Sequence, residues 1–310
     1  MADKKKIGIL SAKTTEKFLD MVIENAPLLK LVTVARVTLP TGTYPVVTMA
    51  QNKTRGFTNA HNNSTGRQTI ATLQSLNAAD VNYSVKELVL PLLLQDSYTE
   101  DMESTPEKVA EMFAKVFAKD VQKMAIAGDV DIEPAEEGAP TDEETMLAVL
   151  DGMVKQMVTL SATVEYTDSE NTVNKKLMKL LKGCPDDFLA NPDSKVYISP
   201  TDMNTLWDEA VTTKTLIKER DGRLYFRGKY EFVEVPGLAE GCILFGDMTG
   251  VLVVLMRDVT LETQRYPEAR GTKAVLSTRV DVVVHPFVNM RMLVPEPEEP
   301  EAPPAGGGGE

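Results

Sequence analysis

Ser104-Thr-Pro-Glu-Lys-Val-Ala-Glu-Met-Phe-Ala-Lys-Val-Phe-Ala-Lys-Asp-Val-Gln-Lys-Met-Ala-Ile-Ala-Gly-Asp129 is the stretch from which the rest of the chain is read. Ser104 and Glu107 have the spacing of a capping box, Pro106 sits in the first turn, and Gly128 stands where a helix-ending glycine belongs. Between them Val109, Met112, Phe113, Val116, Phe117, Val121 and Met124 recur at intervals of three and four, so one continuous apolar stripe is expected to pack. About 23 helical residues make a rod of roughly 34 Å, long enough to lie as a beam across a sheet.

On the N-terminal side, residues 14–25 fit a short amphipathic helix with Phe18, Met21 and Val22 on one face, stopped before Pro27. A strand-like run follows from Leu31 to Leu39, ended by Pro40, Gly42 and Pro45. The next 32 residues, Met49 to Asp80, hold five Asn but only Met49, Phe57, Ile70, Leu73 and Leu76 as sizeable apolar side chains. They cannot bury a core of their own. Alternating Val81, Tyr83 and Val85 then lead back into a strand through Leu94. A long polar excursion between two strands points to a functional segment ordered by a partner, or to disorder.

On the C-terminal side, residues 129–144 carry eight Asp or Glu and no basic residue. A second helix is expected from a capping box at Thr141 and Glu144, burying Leu147, Leu150, Met153, Val154 and Met157. A third is expected over 172–182, closed by Gly183 and Pro185. A fourth begins at Ser199-Pro200, with Met203, Leu206, Trp207 and Ala210 on one face. From Leu224 the period changes to two. A hairpin turns at Gly228-Lys229, and strands follow at Cys242–Phe245, Val251–Met256 and, as one long strand, Lys273–Val294. Residues 295–310 read as a disordered acidic Pro/Gly tail.

The net charge of −13 is unevenly spread. Residues 1–80 carry ten Lys or Arg against five Asp or Glu, which leaves −18 for the remainder and no basic stripe there to read nucleic acid. A cationic arm reaching onto an acidic neighbour of the same kind fits that distribution. No apolar run approaches a membrane span, and Met1–Leu10 has three lysines without the apolar region of a secretory signal. Cys184 and Cys242 are too far apart for a ligand motif and are expected to be buried, inert thiols.

Catalytic patterns are lacking. His61 and His285 stand far from each other and from any local nucleophile pattern, and no serine sits in a nucleophile elbow. Gly222 to Tyr230 has one residue too many for a phosphate loop and ends in Tyr rather than Ser or Thr. Asp129-Val-Asp131-Ile-Glu133 opens like a calcium loop, but Pro134 takes the place where the turn needs Gly. No metal, cofactor or catalytic residue is expected.

The order of these elements, from about residue 14 to 294, resembles the tailed-bacteriophage major capsid proteins of the Hong Kong ninety-seven fold. Residues 104–129, the step Val196-Tyr-Ile-Ser-Pro-Thr-Asp-Met-Asn-Thr-Leu206, and the block Ile243-Leu-Phe-Gly-Asp247, Leu252 to Asp258 and Arg279-Val-Asp281 carry the resemblance. It implies an α+β fold. The parts would be an N-terminal arm (1–38), an extended loop (39–85), a discontinuous peripheral domain (86–138 and 259–294) with a spine helix (104–128), an axial domain (139–258) and the tail (295–310). It implies subunits that assemble with copies of themselves into hexamers and pentamers around double-stranded DNA, without sequence-specific DNA binding and without a membrane. Only a short segment precedes Leu31, so a separate scaffolding protein is expected, with a portal and a decoration protein as further partners. The location implied is the virion, assembled in the bacterial host cytoplasm. Lys53, Arg55, Phe57 and Arg67 of the loop would touch the neighbouring subunit, while Val109, Met112, Phe113, Val116 and Phe117 pack the spine helix. A Lys53–Asn289 isopeptide cross-link, as some relatives make, is conceivable. The rival readings are an encapsulin-like compartment shell, a phage tail or adhesion protein, and, least supported, an enzyme.

Overall fold

The computed structural model describes residues 6–9, 12–48, 77–95, 106–132, 141–167, 172–213, 217–220, 222–266, 268, 270–286 and 288–295. Two sheets organise them. The first draws its strands from widely separated parts of the chain: β1 (Lys6–Ile9), β2 (Thr33–Val37), β5 (Lys86–Gln95), β12 (Val251–Met256), β13 (Thr260–Tyr266) and β14 (Gly271–Val284). Their order is β1-β13-β14-β12-β2, with β5 added along β14. β12 and β13 both run antiparallel to β14, one pairing with its residues 280–284 and the other with 271–277. The second sheet contains β6 (Thr163–Tyr166), β7 (Lys195–Ile198), β8 (Ile217–Arg220), β9 (Arg223–Phe226), β10 (Tyr230–Glu234), β11 (Ile243–Gly246) and β15 (Met290–Pro295), in the order β6-β15-β11-β7-β10-β9-β8. A separate antiparallel pair, β3 (Thr41–Thr48) with β4 (Asn77–Ser84), forms the base of the polar excursion.

Alternation along β14 decides where the core lies. Its even-numbered Ala274, Leu276, Val280, Val282 and Val284 are buried in the main core. There they meet α1 (Ala12–Asn25), α2 (Pro106–Ala127) and α4 (Met153–Thr159). Phe18 of α1 and Phe117 of α2 bring their rings to 6.0 Å. Gln122 is the buried polar member of α2. It accepts a hydrogen bond from the Leu28 amide at 3.3 Å and donates to the Pro236 carbonyl at 2.6 Å, tying the helix to two loops. The second sheet has apolar side chains on both faces. Tyr197, Leu244 and Met292 enter the main core, while Val196, Ile198, Phe245 and Leu293 face a second core under α5 (Val173–Gly183) and α7 (Pro200–Thr213).

Three expectations change. The helix expected from Thr141 through Met157 is two helices, α3 (Asp142–Leu147) and α4. The Thr141–Glu144 capping box is present, but the chain breaks before Gly152. Gly152 donates its amide to the Gly128 carbonyl at 2.7 Å, and a Cβ there would lie 2.7 Å from the Ile126 and Met124 carbonyls. Gly128 is likewise a close-approach glycine, since a Cβ on it would meet the Leu150 carbonyl at 2.3 Å. The long strand Lys273–Val294 is also two strands, β14 and β15, lying in different sheets; the break falls at His285-Pro286, where proline has no N–H to continue a ladder. Sheet membership therefore crosses the expected division. Residues 251–256 join the first sheet although read with 139–258, and 290–295 join the second although read with 259–294.

Substituting Gly152→Ala is expected to cost about 1–3 kcal/mol by forcing the two backbones apart. Urea unfolding measures it, and an unchanged midpoint would mean that the contact is not tight in solution.

Candidate assembly site

The ladder of β5 with β14 runs from Gln95 opposite Gly271 to Lys86 opposite Val280, and stops. Two residues further, the chain pairs with β3 instead as β4, Ser84 opposite Thr41 through Asn77 opposite Thr48. Asp281 sits at this branch. Its carboxylate accepts the Ser84 amide at 2.7 Å through one oxygen and the Val282 amide at 2.8 Å through the other. Burial raises its pKa, offset in part by those two hydrogen bonds. The next backbone groups of β14 are satisfied by Gln156 of α4. Its amide oxygen accepts from Val284 at 2.8 Å and its nitrogen donates to the Val282 carbonyl at 2.7 Å. One side-chain amide thus stands in for a strand, meeting the rule that buried backbone groups be paired.

The departing pair packs across the sheet's other face. Tyr44 and Tyr83 cover a small core of Ala35, Val85, Leu252, Val254 and Met256. Beside it a cleft of about 170 Å³ lies between Tyr44, Pro45 and Val81 of the arm and Leu252, Val283 and His285 of the body. Burial holds the His285 imidazole below its ordinary pKa.

Of the expected loop contacts, Lys53, Arg55, Phe57 and Arg67 lie outside the described residues, as does His61. The spine stripe divides. Phe113 and Phe117 are 1% and 3% exposed, whereas Met112 and Val116 are 42% and 40% exposed. The correction follows from geometry, since 112 and 116 sit one residue, about 100° around the helix, from the 113/117 line that faces α1. Val109 lies in α2, with its side-chain surroundings outside the described residues. Trp207 departs similarly, 42% exposed beside buried Met203 and Leu206. Asn289 is exposed, and its carbonyl accepts the Asp247 amide at 3.1 Å. Gly246 passes so close, at φ +137, that a Cβ there would lie 2.1 Å from that oxygen. The suggested partner Lys53 lies outside the described residues.

The calcium-like run is filled by a lysine. Lys155 reaches Asp129 at 2.5 Å, Asp131 at 2.6 Å and Asp151 at 2.9 Å, so an ammonium occupies the place a cation would take. The hydrogen bond from Lys155, followed by that from the Asp131 amide, lowers the Asp129 pKa. Among the described residues no cluster of three or more His, Cys, Asp or Glu side chains is placed to hold a metal ion, and no helix is long and apolar enough to cross a membrane. Burial pushes the thiols of Cys184 and Cys242 up to about 11 and about 12. Asp281 and Gln156 escaped the sequence reading as site residues; an Asp inside the run Val280-Asp-Val-Val-Val284 was the available signal for the first.

No family model and no curated protein matches the chain. Solved structures do. A chain of the structure described as "Satellite phage P4 procapsid including size determination (Sid) protein" superposes with a TM-score of 0.63 at 12% identity, covering 90% of this chain and 98% of that one. A chain from Microbacterium phage Oxtober96 gives 0.52 at 13% identity over 87% and 91%. One from Mycobacterium phage Adephagia gives 0.50 at 12% identity over 89% and 91%. At these identities the likeness defines a fold: the mixed helix-and-sheet capsid fold of the Hong Kong ninety-seven type, across nearly the whole chain.

Phe113→Ala is expected to cost about 3–5 kcal/mol of subunit stability, and Met112→Ala about 0.5 kcal/mol, in denaturant titration. Equal losses would contradict the divided stripe. The lowered Asp129 pKa contributes stability that is complete above the ordinary carboxylate value of 3.8 and is lost as pH falls through the folded value. Lys155→Met should therefore lower the melting temperature at neutral pH, with the gap to wild type narrowing as the pH falls below the ordinary carboxylate value. A gap that stays constant across that range would assign the loss to packing alone.

Proposed function

We propose that this chain is the major capsid protein of a tailed bacteriophage, a structural subunit that assembles with copies of itself into an icosahedral head around double-stranded DNA. The observation that carries this reading is the match over 90% of this chain and 98% of a chain from a procapsid structure. The physical arrangement supports it. A closed shell of identical subunits needs large contacts between copies, and a two-stranded arm leaving the body at Asp281 supplies area that a compact domain lacks. The half-exposed Met112 and Val116 supply apolar surface on the spine helix.

In this reading the first sheet with α2 is the core of the peripheral domain and the second sheet that of the axial domain. Lys53, Arg55, Phe57 and Arg67 lie against the neighbouring subunit. A separate scaffolding protein, a portal and a decoration protein complete the particle, which is assembled in the host cytoplasm. DNA is enclosed without sequence-specific contacts, in keeping with a net charge of −13 that disfavours phosphate binding. The role is structural rather than catalytic.

Negative-stain electron microscopy of the protein expressed with and without its neighbouring genes should show polyhedral shells, and small uniform oligomers in both samples would exclude the reading. Deleting residues 50–78 should leave a folded subunit that makes no stable shells. Normal particles from that deletion would remove the arm from the argument.

A further inference from the structure

Continued in register past Lys86 and Val280, the β5 ladder would set Val85 opposite Asp281, Ser84 opposite Val282 and Tyr83 opposite Val283. Val280 pairs with Lys86 of β5 and with Leu255 of β12, so those two strands flank β14 on opposite edges. On the β5 edge, side chains stand in the rungs that a longer ladder would use. The Asp281 carboxylate lies between the amides of Ser84 and Val282, the two residues that would face each other. Gln156 takes the Val282 carbonyl and the Val284 amide, and it also donates to the Asp151 carbonyl at 2.7 Å.

Side-chain parity already suits the longer ladder. Val85 and Tyr83 lie with Leu252 and Val254, on the face that Asp281 and Val283 share with them. Ser84 and Asn82 point the other way and are exposed, so no apolar side chain has to change face. The pairing of β4 with β3 runs along its other edge, where Val85 donates to the Pro40 carbonyl, and need not break. Room for the movement exists as well. The cleft of about 170 Å³ separates Tyr44 and Val81 of the arm from Val283 and His285 of the body, and lowering Tyr83 onto Val283 would close it.

We propose that this fork is a two-position latch. With Gln156 and Asp281 in the rungs, the arm stands off the sheet. When they withdraw, the ladder advances through Ser84–Val282 and Tyr83–Val283, and the arm swings down over the cleft. One sequence then has two arm angles, exchanged by trading side-chain hydrogen bonds for backbone ones rather than by melting a strand. The proposal does not rest on the shell reading, and its test uses the unassembled chain.

The pair Tyr83→Cys/Val283→Cys reads the second position. In an antiparallel ladder the Cα atoms of a non-hydrogen-bonded pair lie about 4.5 Å apart, within reach of a disulfide. Cys184 and Cys242 are buried, which keeps them out of the reaction. Under mild oxidation, Gln156→Met should form the 83–283 disulfide severalfold faster than the same chain with Gln156. The existing rung Val89→Cys/Ser277→Cys should close at the same rate in both. Without added cysteines, Gln156→Met should bring the α-protons of Tyr83 and Val283 into nuclear Overhauser contact. If that variant does not fold, Asp281→Ala removes the other half of the latch and is read in the same way. Equal 83–283 rates with and without Gln156, or no such disulfide in any variant, would overturn the proposal. A disulfide formed between chains rather than within one would overturn it too.

Discussion

Everything in this fold hangs on one strand. β14 lends its edges to β5, β12 and β13 at once, and its inward side chains carry the main core. Its pairing with β5 ends at Val280; beyond it the Val85 amide turns to the Pro40 carbonyl, and the carboxylate of Asp281 takes the Ser84 amide. A backbone ladder left open inside a protein costs a few kcal/mol per unmet group, so leaving it requires substitutes. Asp281 and Gln156 are those substitutes, and their presence lets β4 depart without exposing the edge it abandons.

The same economy appears elsewhere. Where two backbones must touch, between α2 and α4, glycine faces glycine. Where three carboxylates converge near the end of α2, a lysine is held among them. In both places polar or unshielded backbone is made compatible with close packing by a single residue choice. Such devices fix the body, and they leave the two-stranded arm attached mainly by its branch point and a five-residue apolar core.

Much of this was legible in the residues. The capping box at Thr141, the helix closing at Gly183 and the hairpin turning at Gly228 all arise from local chemistry, and the structure has each of them; the strand expected to end at Pro40 is instead followed at once by β3, which runs through Gly42 and Pro45. What local chemistry does not encode went unread. The break before Gly152 exists because Gly128 lies opposite, and the division of the last strand exists because its two halves join different sheets. β13 was not read at all: Thr260-Leu-Glu-Thr-Gln-Arg-Tyr266 has few apolar residues, and its place is set by the β14 residues it pairs with. For the arm contacts the sequence offers charge and polarity, and the residues themselves lie outside those described.

The parallel pairing of β2 with β12 joins Thr33 to Leu252. A ribosome making about 5–20 residues per second delivers the second partner roughly 10–45 s after the first. For that interval β2 has no neighbour in its sheet, because the sheet's path reaches it only through β12. The branch at Asp281 comes later still, so the arm's base is anchored only after β2 and β12 have both been made. Long-range pairing of this kind leaves strand edges of the nascent chain open for that time, and open edges are prone to aggregate.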